Sequence, residues 1–138
     1  MRGSGFISAA IAFSISLLLA AYADTGAANK TSRPKATTEQ QNRMYARLRA
    51  AEQERISNYG PAIPRKAYEA ILKDLDRYEY PANLQWRAWD GYGLSLIIAR
   101  DRKAAIRAFQ RAIELGATAG DEYARQSREN LRKAEAMN

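Results

Sequence analysis

Over most of its length the chain repeats apolar side chains at steps of three and four residues, which places them on one face of an α-helix. This pattern predicts five helices, over residues 38–59, 64–80, 82–99, 102–115 and 120–136. A capping box is expected at the start of the first helix, from Thr37 with Gln40 or from Thr38 with Gln41. Apolar and polar residues do not alternate with the period of two that is typical of strands. The connections are short, so neighbouring helices should run antiparallel, and the predicted fold class is all-α.

Residues that favour helix ends mark most of the predicted boundaries. Gly60 and Pro61 end the first helix, and Pro81 ends the second. Asp101 is expected to cap the fourth helix, and Gly116 is expected to stop it. The third helix is the most hydrophobic, so it should lie between neighbours. The fifth is largely polar, as expected of a helix that caps the exposed end of a core.

The beginning of the chain follows a different pattern. Arg2 precedes an uncharged, mainly apolar segment, residues 3–23, which ends in Ala21-x-Ala23. A positive head, an apolar middle and a small-x-small end predict a secretory signal peptide over residues 1–23, cleaved after Ala23. The alternative is an inner-membrane anchor over residues 3–23, because a spanning helix needs about 20 apolar residues. In both cases we expect the rest of the chain to be exported, into the bacterial periplasm or an equivalent space.

A short segment separates this start from the helical pattern. Residues 24–37 are small and polar and include no large apolar side chain. Such a segment buries too little surface to offset the entropy that is lost on ordering it, so we predict a flexible linker. The helical pattern then occupies residues 38–138, which is a suitable length for one domain.

The amino-acid composition excludes most kinds of catalytic site. The chain contains no cysteine and no histidine, which excludes disulfides, thiolate nucleophiles, Ser-His pairs and metal sites built on those side chains. Asp74 and Asp76 are two positions apart and point in different directions on a helix, so they cannot act as an acid–base pair. We therefore expect a protein that is not an enzyme, with no catalytic residue, no cofactor and no metal.

One stretch carries a recognisable spacing. It is Trp89-x2-Tyr92-Gly93-x2-Leu96, then eight residues, then Ala105-x3-Phe109-x2-Ala112. This resembles the 34-residue tetratricopeptide repeat, W-x2-L-G-x2-Y followed by A-x3-F-x2-A, with the best repeat over residues 86–119. Tyr92 and Leu96 exchange one bulky apolar type for another, and Ala117 stands where proline is usual. The open alternative is an unrelated five-helix bundle in which alanine-rich helices match the pattern by accident.

The resemblance implies both a fold and a binding surface. The fold is a short α-solenoid of antiparallel helix pairs, in which small Gly93 and Ala105 allow close approach beside large side chains. The surface is a concave face, lined by the first helix of each pair, that holds a peptide or partner helix. The candidate partner-binding residues are Trp86, Arg87, Asp90 and Leu94 on the third helix, and Arg125, Arg128 and Arg132 on the fifth.

The three arginines and Trp86 have competing interpretations. The three arginines share one helical face, where an acidic peptide would relieve their repulsion. The alternative is a solvated face in which they pair with Asp121, Glu122 or Glu129. Trp86 is either a partly exposed contact anchor or a side chain packed under the second helix.

The net charge of +7 favours acidic partners, and export makes nucleic acid an unsuitable one. We expect a non-enzymatic interaction module or scaffold of the bacterial envelope that binds a protein or peptide. The alternative is a basic envelope-associated protein that binds anionic lipid or wall polymer by charge, with membrane association if the signal is not cleaved. The binding surface would be small, so a homo-oligomer or a place in a larger complex is expected.

Overall fold

A computed structural model describes residues 32–57 and 62–138 of the chain. Within them the chain forms five helices: α1 Thr38–Ile56, α2 Ala62–Leu75, α3 Ala82–Ile98, α4 Arg102–Ala119 and α5 Asp121–Glu135. The predicted all-α fold is confirmed. None of the helices in these two ranges is long and apolar enough to cross a membrane. The predicted signal peptide and its cleavage site at Ala21 and Ala23 lie outside the described residues.

The most hydrophobic helix, α3, lies at the centre of the domain. Each helix packs against the next along the chain, and α3 also contacts α1 and α5. One apolar core lies among α1, α2 and the start of α3, and a second lies among the end of α3, α4 and α5. Trp89 and Tyr92 are partly buried and pack against both cores. The fold is therefore a row of packed helix pairs with a shared central helix.

Two predicted helix starts are formed as the sequence suggests. The Thr37 hydroxyl accepts from the Gln40 amide at 3.2 Å, and the Gln40 side chain accepts from the Thr37 amide at 2.8 Å. At α4 the Asp101 carboxylate accepts from the Ala104 amide at 3.2 Å. Each contact satisfies a backbone N–H that has no partner within its own helix. The first of the two predicted capping boxes is thus confirmed.

The end of α4 differs from the prediction. The helix runs through Gly116 to Ala119, and Gly120, with φ of +151°, follows as its cap. Gly116 is buried, and a Cβ atom added there would lie 2.7 Å from the backbone nitrogen of Ala124. Gly116 therefore has the role of letting α5 approach α4 closely, and the chain reverses at the second glycine.

The end of the predicted linker belongs to the helical domain. The Ala36 amide donates to the Glu79 carbonyl at 2.9 Å, and the Glu79 amide donates to the Pro34 carbonyl at 2.9 Å. Ala36 is buried beneath this bridge. The prediction of a flexible linker over residues 24–37 is therefore wrong at its last positions, because these two backbone bonds to Glu79 hold them on the loop that follows α2.

Candidate functional site

The residues of the tetratricopeptide-like spacing lie where α3 meets α4. Leu96, Ala105, Phe109 and Ala112 are fully buried. A Cβ atom added to Gly93 would lie 2.5 Å from the Phe109 ring, so the ring packs directly on the α3 backbone. Small side chains thus face large ones across this contact, which is how interiors reach their usual density.

Trp86 is buried, and the expectation that it serves as an exposed anchor is corrected. It is 8% exposed. Its indole N–H donates to the Ser127 hydroxyl at 2.9 Å, and its ring lies 4.5 Å from the Tyr123 ring, centroid to centroid. The polar and aromatic contacts described for Trp86 are both with α5, whereas the competing expectation placed it under α2.

Asp90 continues the same polar cluster. It is 3% exposed and accepts from the Ser127 hydroxyl at 2.7 Å. The Asn130 side-chain amide reaches its two carboxylate oxygens at 3.2 and 3.3 Å, and Lys133 donates to the Asn130 carbonyl at 3.3 Å. Burial raises the pKa of Asp90, while the Ser127 and Asn130 hydrogen bonds oppose that rise. The predicted role of Asp90 as a partner contact is corrected, since a side chain this deeply buried is not accessible to a partner.

The cluster formed by Trp86, Asp90, Ser127 and Asn130 is here called the α3–α5 polar cluster. Ser127 and Asn130 were not among the site residues predicted from the sequence. The sequence does contain a signal for them: Ser127 and Asn130 are short polar side chains, three positions apart, on the same face of α5 as the buried alanines. Buried polar groups are costly unless they are paired. These residues therefore predict a matching polar group on a neighbouring helix.

Arg87 is used in a contact between α3 and α1. Its guanidinium donates to both carboxylate oxygens of Glu52, at 2.5 and 2.6 Å, and lies 4.8 Å from the centroid of the Tyr45 ring. The hydrogen bond to Glu52 raises the pKa of Arg87 above its ordinary value. Leu94, the fourth candidate on α3, packs against the second core and is only partly exposed. Arg87 and Leu94 therefore contribute to packing between helices, and neither stands free in an open groove.

The three arginines of α5 lie on its outer surface. Ala124, Ser127, Asn130 and Ala134 form the buried side of this helix, and Arg125, Arg128 and Arg132 are all exposed. In the part of the chain that the structure describes, none of the three forms a salt bridge. The pairing with Asp121, Glu122 or Glu129 that the sequence allowed is not formed. We call these three side chains the arginine face.

The arrangement suits binding of anions and offers no set of metal ligands. Guanidinium groups bind carboxylates and phosphates through two parallel hydrogen bonds. Among the described residues no group of three or more acidic side chains is placed to hold a metal ion.

Comparison with known proteins gives no match: no protein-family model, no curated protein and no solved structure matches this chain.

Proposed function

We propose that this chain is a small, exported, non-enzymatic binding module of the tetratricopeptide type that binds an acidic protein or peptide through its arginine face. The observation that carries the proposal is the exposure of Arg125, Arg128 and Arg132 on one side of α5 without a carboxylate partner among the described residues. Like charges at three- and four-residue spacing repel each other. A partner that brings carboxylates to this face removes that repulsion.

The tetratricopeptide assignment is supported by packing. The ring of Phe109 lies against Gly93, and α3 packs between the helices before and after it, as the repeat spacing implies. The last helix covers the end of the row with a buried side of small residues, as a capping helix would.

The choice of the arginine face over the concave groove rests on what the groove candidates already contact. Trp86 and Asp90 are buried in the α3–α5 polar cluster, and Arg87 is held by Glu52. Withdrawing Trp86 or Asp90 to meet a partner would leave a buried group without its hydrogen bonds, which is costly. Withdrawing Arg87 would break its two-oxygen contact with the partly buried Glu52. The arginine face requires no such rearrangement.

The test uses the full chain and a labelled peptide with about eight consecutive glutamates. The variant replaces Arg125, Arg128 and Arg132 by glutamine. Its matched control replaces Arg49, Lys66 and Lys73 by glutamine, because these cations are also exposed and without a salt bridge among the described residues, and their loss changes the net charge equally. We expect the affinity to fall by about tenfold or more in the variant, equivalent to about 1.4 kcal/mol, and by much less in the control.

Equal losses in the two variants would contradict the proposal. Together with binding that disappears at moderate salt, they would favour the alternative, in which the chain binds anionic lipid or wall polymer by general charge. The natural partner can be sought by crosslinking in the intact cell envelope, with both variants as controls. Export is tested separately, since cleavage after Ala23 predicts a mature protein that begins at Asp24.

A further inference from the structure

The turn between α3 and α4 contains an unusual backbone conformation. Arg100 has φ of +57°, and it is the one non-glycine residue with positive φ in the two described ranges. Its amide donates to the Ile97 carbonyl at 3.0 Å, and the Asp101 amide donates to the Leu96 carbonyl at 2.9 Å. This pair of bonds ends many helices, usually with glycine in the left-handed position. A left-handed backbone at an arginine costs conformational free energy that glycine would avoid. Residues in such conformations cluster at functional sites, so the surroundings of the Arg100 side chain are of interest.

Arg100 lines an open cleft with a strong positive charge. The cleft has a volume of about 750 Å³. Four cationic side chains and one carboxylate line it together with Ala99, Ile106 and Asn138: Arg65, Arg100, Arg102, Lys103 and Asp101. Arg65 lies 3.6 Å from Asp101 and 2.9 Å from Glu69, so the single carboxylate of the lining is already matched. The three remaining cations form no salt bridge with any described residue.

Arg100 also lines a second cleft beside the first, and about half of the surface of this second cleft is apolar. This cleft has a volume of about 460 Å³, and Ile97, Ile98 and Met137 supply its apolar lining. Ile98 is 44% exposed and is one of the few large apolar side chains on the surface of the described domain. A cationic cleft and a partly apolar cleft therefore adjoin and share Arg100 and Asn138.

We propose that these two clefts form one site for a single-chain anionic amphiphile. The anionic head lies among Arg100, Arg102 and Lys103, and the alkyl chain lies along Ile97, Ile98 and Met137. A free anion would use the cations but leave Ile98 exposed, and an uncharged hydrophobic ligand would leave the cations unmatched. This site shares no residue with the arginine face, so it does not depend on the function proposed above.

The probe is decyl phosphate, kept below its critical micelle concentration and titrated into the full chain by calorimetry. Inorganic phosphate and decyl maltoside test the head and the chain separately. We expect saturable binding of decyl phosphate at one site, with both partial ligands bound at least about tenfold more weakly.

Two substitutions and one control locate the site. Arg100→Gly removes the cation and suits the left-handed backbone, so it should weaken decyl phosphate binding about tenfold while the thermal midpoint stays the same or rises. Ile98→Ser should weaken decyl phosphate binding but leave inorganic phosphate binding unchanged. Arg49→Gln, an exposed cation on α1, should change neither.

Several results would overturn the proposal. Equal effects of Arg100→Gly and Arg49→Gln would mean attraction by net charge alone. Unchanged decyl phosphate binding in Ile98→Ser would mean that the alkyl chain does not contact this cleft. Binding to vesicles of anionic lipid in the absence of any monomer binding would replace the site with a membrane-surface interaction.

Discussion

Replacing Gly116 with alanine tests how closely α4 and α5 approach each other. The added Cβ atom would lie 2.7 Å from the backbone nitrogen of Ala124 and 2.9 Å from its Cα atom. Both distances are well below ordinary van der Waals contact. The atoms that it meets belong to the backbone of α5 and cannot rotate aside, so the start of that helix must move.

Two opposing free energies decide whether Gly116→Ala stabilises or destabilises the fold. Alanine is favoured over glycine in a helix interior by about 1 kcal/mol. Overpacking a well-packed contact costs about 1–3 kcal/mol, and we place this substitution near the upper end because the atoms it strikes are backbone. The net expectation is a loss of about 1–2 kcal/mol in the free energy of unfolding. In a domain of about 100 residues this corresponds to a fall of roughly 5–15 °C in the thermal midpoint.

The assay is thermal and urea denaturation of the full chain, followed by far-ultraviolet circular dichroism. Ala117→Gly is the control, because Ala117 lies on the exposed side of the same helix and reports the helix-propensity difference without the steric contact. A Gly116→Ala variant as stable as the wild type, or more stable, would refute the argument. It would mean that α5 does not approach α4 through this glycine.

Three further predictions concern side chains between the helices. Ser127→Ala should lower the free energy of unfolding by about 1–3 kcal/mol, because the indole N–H of Trp86 loses its acceptor in a buried site. In a Trp86→Phe background the same substitution should cost about 1 kcal/mol less, and an equal cost in both backgrounds would contradict the contact. Asp90 has a raised pKa in the folded state, so the wild type should lose stability as the pH rises from about 4, the value for the unfolded chain, through the folded pKa. Urea denaturation of Asp90→Asn should lack this component, and identical pH profiles for the two proteins would exclude it. Arg87→Lys should cost about 1 kcal/mol in urea denaturation, since one ammonium group cannot replace the two-oxygen contact with Glu52; an unchanged urea midpoint would disprove that.

The features that sequence analysis predicted correctly are those decided by local chemistry. Five helices follow from apolar spacing, and the caps at Thr37 and Asp101 follow from side chains that reach a backbone amide three residues away. The central position of α3 follows from its apolar residues, which cover much of its circumference. None of these requires knowledge of which surfaces of two helices meet.

The features that were missed depend on the approach of a second helix. Glycine favours helix ends, so Gly116 was assigned to one, although the position of α5 gives it a packing role. Trp86 and Asp90 lie next to core positions of α3 and were assigned to an open groove, because nothing local says that α5 covers them. The left-handed backbone of Arg100 is likewise invisible in a sequence, since glycine is the residue that ordinarily signals it.

The buried side of α5 supports the fold, and its exposed side carries the proposed binding surface, so substitutions on the two sides should have different effects. Its inner side is fixed by directional hydrogen bonds through Ser127 and Asn130, so the direction in which the arginine face points depends on the α3–α5 polar cluster. Ser127→Ala should therefore weaken both stability and acidic-peptide binding, although it leaves all three arginines in place. Replacing the three arginines by glutamine should weaken binding and leave the thermal midpoint of the free protein nearly unchanged. In the wild type, peptide at about 100 times its dissociation constant should add about 2.7 kcal/mol of stability, and that increment should vanish in the glutamine variant. A large fall in the free protein's midpoint on losing the arginines would instead make them part of the fold.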